Sequence, residues 1–170
     1  MLAPRITSLL VRTFYAAFIL FAVVQGKHFD VLFYSAVFLV TLVTWTIRDE
    51  RALYYDALLI ALFAATLASG SFGYLLKSSL FGLDKLFHFL AGVALAGLAL
   101  HAFPRGRTRH RDWLLAVFML AFVVFVAWEV YEWFAFEFLA RRGIMSLTDS
   151  WLDLVADSLG AALVLWRARS

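Results

Sequence analysis

Residues 113–138 read WLLAVFMLAFVVFVAWEVYEWFAFEF, and no charged side chain interrupts this stretch before Glu129. A helix needs about 20 predominantly apolar residues to cross the roughly 30 Å hydrocarbon core of a bilayer. The stretch is longer than that, so it predicts a membrane-spanning helix that lies tilted. Near its end, Glu129 and Glu132 stand three residues apart, which places both on one face of the helix. The same stretch therefore predicts a membrane fold and a polar site inside it.

Five further apolar runs extend this pattern over a chain of 170 residues, of which 64% are hydrophobic and 16% charged. Soluble domains are about half apolar and a quarter charged. The six predicted spans are Ser8–Val24, Phe29–Ile47, Ala52–Ala68, Leu86–Phe103, Trp113–Phe138 and Trp151–Trp166. The sequence thus predicts an all-α, polytopic membrane bundle of six transmembrane helices, forming one domain over residues 1–170. The alternative for the first span is a cleaved signal peptide with Arg5 and Arg12 in its basic region.

The basic residues predict the orientation of this bundle. With the amino terminus in the cytoplasm, ten of the 15 Lys and Arg residues lie inside and five outside, as the positive-inside rule requires. The inside residues are Arg5, Arg12, Arg48, Arg51, Arg105, Arg107, Arg109, Arg111, Arg167 and Arg169. The outside residues are Lys27, Lys77, Lys85, Arg141 and Arg142. Both termini are therefore predicted to be cytoplasmic.

The two halves of the chain differ in their polar content. Residues 1–83 form a predicted three-helix half that ends in a short interfacial segment, Ser69–Leu83. Residues 84–170 form a second three-helix half, which carries the intramembrane acids. In this half, small residues at helical spacing, including Gly92 and Gly160, predict close contact between the fourth and sixth spans.

Three predicted spans each carry a pair of ionisable residues at helical spacing. Such residues cost about 2.5–3.5 kcal/mol each at the centre of a membrane helix, so they need an explanation. The pairs are Asp84 with His88, Glu129 with Glu132, and Asp153 with Asp157. In the predicted orientation all six lie in the outer half of the membrane, where neighbouring helices would bring them together. We name these six residues the acidic cluster.

The acidic cluster needs compensation for its negative charge, and Lys85 is the cation in the same stretch of sequence. One solution is a bound divalent metal ion with carboxylate and imidazole ligands, and the other is shared protons. For the metal, the predicted ligands are Asp84, His88, Glu132, Asp153 and Asp157. Glu129 and Glu132 are the predicted catalytic residues, because one carboxylate would remain as a general base. Arg141 and Arg142 are predicted to bind an anionic substrate group.

Simpler interpretations stay open for several of these residues. Asp84 can act as a helix cap, and Asp153 can stabilise the positive end of its helix. Asp149 is predicted to be a cap or turn residue, and Asp56 to be solvated near an interface. The deeper acids can also form a purely structural network between helices. Because the chain contains no cysteine, thiolate metal sites and cysteine nucleophiles are excluded.

Three strings in the second half carry a family resemblance: DKLFHF at residues 84–89, WEVYEW at 128–133 and WLDLVAD at 151–157. They resemble the YjdF-type inner membrane proteins and the wider VanZ-like membrane family, over the region from Asp84 to Trp166. Residues 144–150 lack the Gly- and Gln-rich stretch of the YjdF-type pattern. The resemblance implies a small polytopic protein of the bacterial cytoplasmic membrane. It carries over no chemistry from the YjdF-type proteins, and VanZ-like relatives are linked with lipoglycopeptide resistance.

The sequence therefore predicts a metal-binding membrane protein, and the reaction that it favours is hydrolysis of a lipid or lipid-linked substrate. Membrane lipid is the predicted partner. Nucleic acid is not, because the net charge of +3 comes mostly from arginines in a few loops and serves topology. One rival hypothesis is a proton- or cation-coupled transporter. The other is a non-catalytic VanZ-like protein that binds lipid or antibiotic.

Overall fold

Helices account for nearly all of the structure, which is a computed structural model. It describes residues 3–26, 31, 35, 38, 42, 51–62, 81–103, 105–138 and 147–169. Helix α1 spans Ala3–Val24, α2 Phe81–Ala102, α3 His110–Phe138 and α4 Leu147–Arg169. Residues 51–62 form a further helical stretch, and no strand occurs in the ranges just given. The predicted all-α class is therefore confirmed.

Two helices, not six, have the length and hydropathy of a membrane span within the described part of the chain. They cover Asp84–Ala102 and His110–Phe134, on the fourth and fifth predicted spans. Helix α1 contains a shorter apolar stretch, Arg12–Val24, and the third predicted span is described only as far as residue 62. The second, Phe29–Ile47, falls mostly outside the described residues.

The interfacial segment predicted over Ser69–Leu83 also falls mostly outside the described residues. Its last three residues belong to α2, which begins at Phe81. The interfacial position of this segment stays a prediction.

Helix α4 is buried on its acidic face and exposed on its apolar face. Asp153 and Asp157 are 3% and 2% exposed, whereas Val155, Leu159 and Trp166 are 52%, 58% and 69% exposed. Helices of soluble proteins show the opposite arrangement, because apolar side chains gain free energy by leaving water. The outer face of α4 therefore suits hydrocarbon. Its aspartates lower the hydropathy, which explains why α4 does not qualify as a span by composition.

Helices α2 and α4 run parallel and cross at a pair of glycines. A Cβ atom built on Gly92 would lie 2.0 Å from the backbone oxygen of Asp157, and one built on Gly160 would lie 2.0 Å from that of Phe89. Each glycine thus lets the opposite backbone approach to a distance that no other residue allows. The helix contact predicted from small residues is present, and it fixes the two helices in register just inside the acidic cluster.

Helix α3 runs antiparallel to this pair and completes the core. One layer of the core consists of Ala96, Ala121, Phe125 and Ala161, and the next of Ala99, Leu114, Val117 and Leu165. At the end of the bundle where α2 stops, the chain turns through Gly106, whose φ of 59° lies in the left-handed region. His110, which begins α3, lies there against the last turn of α4, with Nε2 3.2 Å from the Ala168 carbonyl oxygen.

A buried ion pair joins α1 to the helical stretch 51–62. The Arg12 guanidinium contacts the Asp56 carboxylate, and the two residues are 2% and 0% exposed. The prediction that Asp56 is solvated is therefore wrong. Arg12, which was counted among the basic residues on the inner side, is buried as well. The two residues are 44 positions apart in sequence, so hydropathy and local spacing carry no sign of their pairing.

We expect Gly92→Ala and Gly160→Ala each to destabilise the protein by about 1–3 kcal/mol, because an added methyl group would force the two backbones apart. The measurement is thermal unfolding of the purified protein in detergent. Ala162→Val is the control, since it adds carbon to the exposed face of α4. Equal stability of the glycine variants and the control would mean that the close crossing does not hold the bundle together.

Candidate functional site

The acidic cluster forms at one end of the three-helix core. Its residues come from the first three turns of α2 and α4, which are parallel, and from the end of α3, which is antiparallel to them. Potential ligand atoms of Asp84, His88 and Asp153 all lie within 4.8 Å of one another, as do those of His88, Glu129 and Glu132. His88 belongs to both groups, and it also contacts Asp157. The six residues predicted from three helical pairs are therefore brought together.

His88 occupies the centre of the acidic cluster, between two aspartates of α4. Its Nδ1 lies 3.1 Å from Asp157 Oδ2, and its Nε2 lies 3.4 Å from Asp153 Oδ1. When Nδ1 donates its proton to Asp157, that carboxylate fixes the orientation of the ring and leaves the lone pair of Nε2 for another partner. Asp157 therefore holds His88 in place.

Lys85 lies at the rim of the acidic cluster and contacts three carboxylates. Its Nζ donates to Asp153 Oδ1 at 2.5 Å and to Asp149 Oδ1 at 2.6 Å, and it lies 3.3 Å from Asp84 Oδ2. Charge-assisted bonds of this length are stronger than neutral hydrogen bonds. Asp84 is half-exposed and lies in the first turn of α2. Its negative charge therefore also interacts favourably with the positive end of the helix dipole.

The prediction that Asp149 is only a cap or turn residue is incomplete, because Asp149 lies in the first turn of α4 and also binds Lys85. A signal for this role is present in the sequence. Asp149 precedes Asp153 by four residues, the same spacing that places Asp153 and Asp157 on one face.

Glu129 continues the core face of α3 into the acidic cluster. Val117, Ala121, Phe125 and Glu129 follow one another at intervals of four, and all are buried. Glu129 is only 7% exposed. Ser150 lies beside it, yet neither carboxylate oxygen accepts a hydrogen bond of ordinary geometry from a described residue. Because buried polar atoms nearly always have a partner, this carboxylate needs a proton or a cation.

The charges that the structure describes at this end do not balance. Six carboxylates, those of the acidic cluster and of Asp149, face Lys85 and His88 as the described cationic groups. A buried carboxylate without a hydrogen-bond partner is costly, so a proton or a further cation is expected at Glu129. Donor atoms bound to one hard cation at about 2.1–2.6 Å lie at most about 4–5 Å apart. Both three-residue groups meet this limit, so either could hold a metal ion.

Arg141 and Arg142, the predicted anion-binding residues, lie outside the described residues. The other predicted site residues are all described. None of their predicted roles as ligand or base is tested by their positions, so these roles stay predictions.

No curated protein and no solved structure matches the chain. Residues 6–169 match the family described as "Predicted membrane protein (DUF2238)". This is the family of the YjdF-type proteins, so that resemblance is confirmed, whereas the resemblance to the VanZ-like family stays a prediction. The match also includes the first three predicted spans, where the sequence offered no motif. The apolar outer face of α4 and the two apolar helices agree with this description, and the chain belongs to the DUF2238 family of predicted membrane proteins.

Proposed function

We propose that this membrane protein binds a divalent cation in the acidic cluster and uses it to hydrolyse an ester or phosphate of a lipid or lipid-linked substrate. The observation that carries the proposal is Glu129. It is a buried carboxylate that accepts no hydrogen bond of ordinary geometry from the described residues, and it lies beside an imidazole nitrogen and a second glutamate. A cation at this position would satisfy Glu129 and reduce the negative charge of the cluster.

The contacts favour a particular division of roles. His88 Nε2, Glu129 and Glu132 are the ligands that we propose. Asp157 is better suited to orienting His88 than to binding the cation, because histidine ligands commonly donate their other ring N–H to a carboxylate. The second group, through Asp84 and Asp153, offers further carboxylate oxygens. Carboxylate-rich donors with one imidazole suit Mg²⁺, Mn²⁺, Ca²⁺ or Zn²⁺.

Hydrolysis is the chemistry that such a site could support. A bound cation would activate a water molecule and polarise a phosphoryl or carbonyl oxygen. Glu132 is less buried than Glu129 and is the carboxylate that we propose as the proton acceptor. Asp84 and Asp149 are partly exposed at the rim, which gives a substrate an approach to the site. Arg141 and Arg142 remain the residues proposed to bind its anionic group.

The remaining parts of this proposal concern the membrane. We propose six spans, both termini in the cytoplasm, and the acidic cluster in the outer half of the bacterial cytoplasmic membrane. The arginine distribution supports this orientation, although Arg12 no longer counts toward it because it is buried. Nine of the 15 basic residues then remain on the inside, against five outside, so the asymmetry persists.

Transport is the weaker alternative. A transporter needs a polar route from the acidic cluster to the other end of the bundle. Beneath the cluster, the described core consists of apolar residues, Ala96, Ala121, Phe125 and Ala161, followed by a second apolar layer. These layers disfavour a route through α2, α3 and α4. Lipid or antibiotic binding without catalysis, the VanZ-like alternative, would leave the acidic cluster as a structural network.

We expect the purified protein to contain about one divalent ion per chain, and Glu129→Gln to lose it, because the amide removes the charge that attracts the cation. Mass spectrometry of metal content in detergent-solubilised protein is the measurement. Glu137→Gln is the matched control, since Glu137 lies exposed on the same helix. Metal bound equally by the wild type and Glu129→Gln, or by neither after supplementation, would overturn the proposal. A positive result would justify a screen of lipid phosphates and esters.

A further inference from the structure

A second polar site lies at the opposite end of the bundle from the acidic cluster. There, residues 51–62 approach the ends of α2 and α4 and the start of α3, and together they line an open cavity of about 310 Å³. This volume is at the lower end of the range for small-molecule sites. The cavity is lined by two arginines, Arg51 and Arg167, and by three aromatic or imidazole rings, those of Tyr55, His101 and Trp113.

The walls of this cavity are held by specific contacts. A Cβ atom on Gly97 would lie 2.3 Å from the Tyr55 ring, so the glycine makes room for that ring against α2. Tyr55 also stacks on His101, with ring centroids 5.8 Å apart. The Trp113 indole donates to the Phe103 carbonyl oxygen at 3.3 Å. The rings are therefore fixed before any ligand arrives, which reduces the entropy that binding would cost.

Two arginines are the charged residues among those described as lining the cavity. Its two guanidinium groups come from separate elements, residues 51–62 and α4, and the described residues that line it include no carboxylate. The neighbouring turn adds exposed Arg105, Arg107 and Arg109. Arginine binds phosphate through a planar fork of donors, and basic pockets between membrane helices on the cytoplasmic side bind anionic headgroups.

We infer that this cavity binds the phosphate group of an anionic molecule, with Arg51 and Arg167 as its principal contacts. The phosphate can belong to a lipid headgroup or to a soluble phosphate. A lipid fits the surroundings, because the outer face of α4 beside the cavity carries exposed Leu163 and Trp166, which can contact an acyl chain. The inference does not depend on the proposed metal site.

The simplest alternative is that these arginines only complement the helix ends. Arg167 and Arg169 lie in the last turn of α4, where cations are favoured by the helix dipole. That explanation treats all arginines at this end alike. A specific site instead requires that Arg51 and Arg167 matter more than arginines outside the cavity.

The test compares two double variants with the same change in charge. Arg51→Gln/Arg167→Gln removes the cavity arginines, and Arg107→Gln/Arg169→Gln removes two arginines from the same end that do not line the cavity. All four arginines are exposed, so the pairs differ in position and not in burial. Binding of dioleoyl phosphatidylglycerol, dioleoyl phosphatidylcholine and inorganic phosphate is measured by thermal stabilisation and native mass spectrometry in detergent. For the cavity variant we expect roughly 30-fold weaker phosphatidylglycerol binding, because the loss of each arginine should weaken binding roughly fivefold.

The outcomes separate the two sources of phosphate. Binding of phosphatidylglycerol alone, lost only in the cavity variant, identifies a lipid headgroup. Binding of inorganic phosphate as well, lost in the same variant, identifies a soluble anion. Equal losses in both double variants, or equal binding of phosphatidylcholine, would overturn the inference. The single variants Arg51→Gln and Arg167→Gln keep the test decisive if the double variant does not fold, and metal content serves as the independent readout of the acidic cluster.

Discussion

Replacing Asp56 by Asn will lower the free energy of unfolding by about 3–5 kcal/mol, because it leaves the buried Arg12 guanidinium beside a neutral partner. Both residues are almost fully buried, so neither water nor salt can compensate for the lost charge. The change keeps the shape of the side chain, so packing contributes little to the loss. The measurement is equilibrium unfolding in detergent micelles.

Two comparisons sharpen this prediction. Asp112→Asn makes the same chemical change on an exposed residue in the first turn of α3, and we expect it to cost less than about 1 kcal/mol. Arg12→Met/Asp56→Leu removes both charges, and it should recover most of the stability, since an apolar pair does not carry the desolvation cost of an ion pair. If Asp56→Asn is as stable as the wild type, the packing of α1 against residues 51–62 does not depend on the ion pair.

The sequence was sufficient for the local features of the second half. Helical spacing placed Asp84 with His88 and Asp153 with Asp157 because residues four apart share one face. Small residues at helical spacing then predicted the contact between the fourth and sixth spans, which cross at Gly92. These inferences succeed because each depends on contacts that are local in sequence or follow from the periodicity of one helix.

Features that depend on tertiary packing could not be predicted in this way. Glu129 and Glu132 are equivalent in a spacing argument, yet only Glu129 falls on the buried stripe with Ala121 and Phe125, because packing against α2 and α4 sets the rotation of α3. The pairing of Arg12 with Asp56 likewise depends on how two distant segments dock.

Replacing Lys85 by Met will make the stability of the protein depend on divalent cations. Lys85 Nζ is bonded to Asp149 and Asp153 and lies close to Asp84. Without this ammonium group, the carboxylates lose their shared counter-charge. In the presence of a chelator we therefore expect a loss of about 2–5 kcal/mol, nearer the lower value because Lys85 and Asp149 are partly exposed.

A divalent cation should then replace the missing charge, because Asp84 and Asp153 are in one of the two groups with metal-binding geometry. At about 100 times its dissociation constant, such a cation would return roughly 2.7 kcal/mol. The measurement is the shift in unfolding temperature on adding Mn²⁺, Mg²⁺ or Ca²⁺ after chelation. We expect the shift to be larger in Lys85→Met than in the wild type, and Lys85→Arg, which keeps the charge, to resemble the wild type.

This comparison decides how the acidic cluster is neutralised. If Lys85 and a cation compete for Asp153, removing the lysine must strengthen the response to the cation. If Lys85→Met responds no more strongly than the wild type, the carboxylates near Lys85 do not bind the added ion, and protons must balance their charge instead. In that case His88, Glu129 and Glu132 would be the only proposed ligands of the cation at Glu129. The metal content of Glu129→Gln would then test whether that cation is bound.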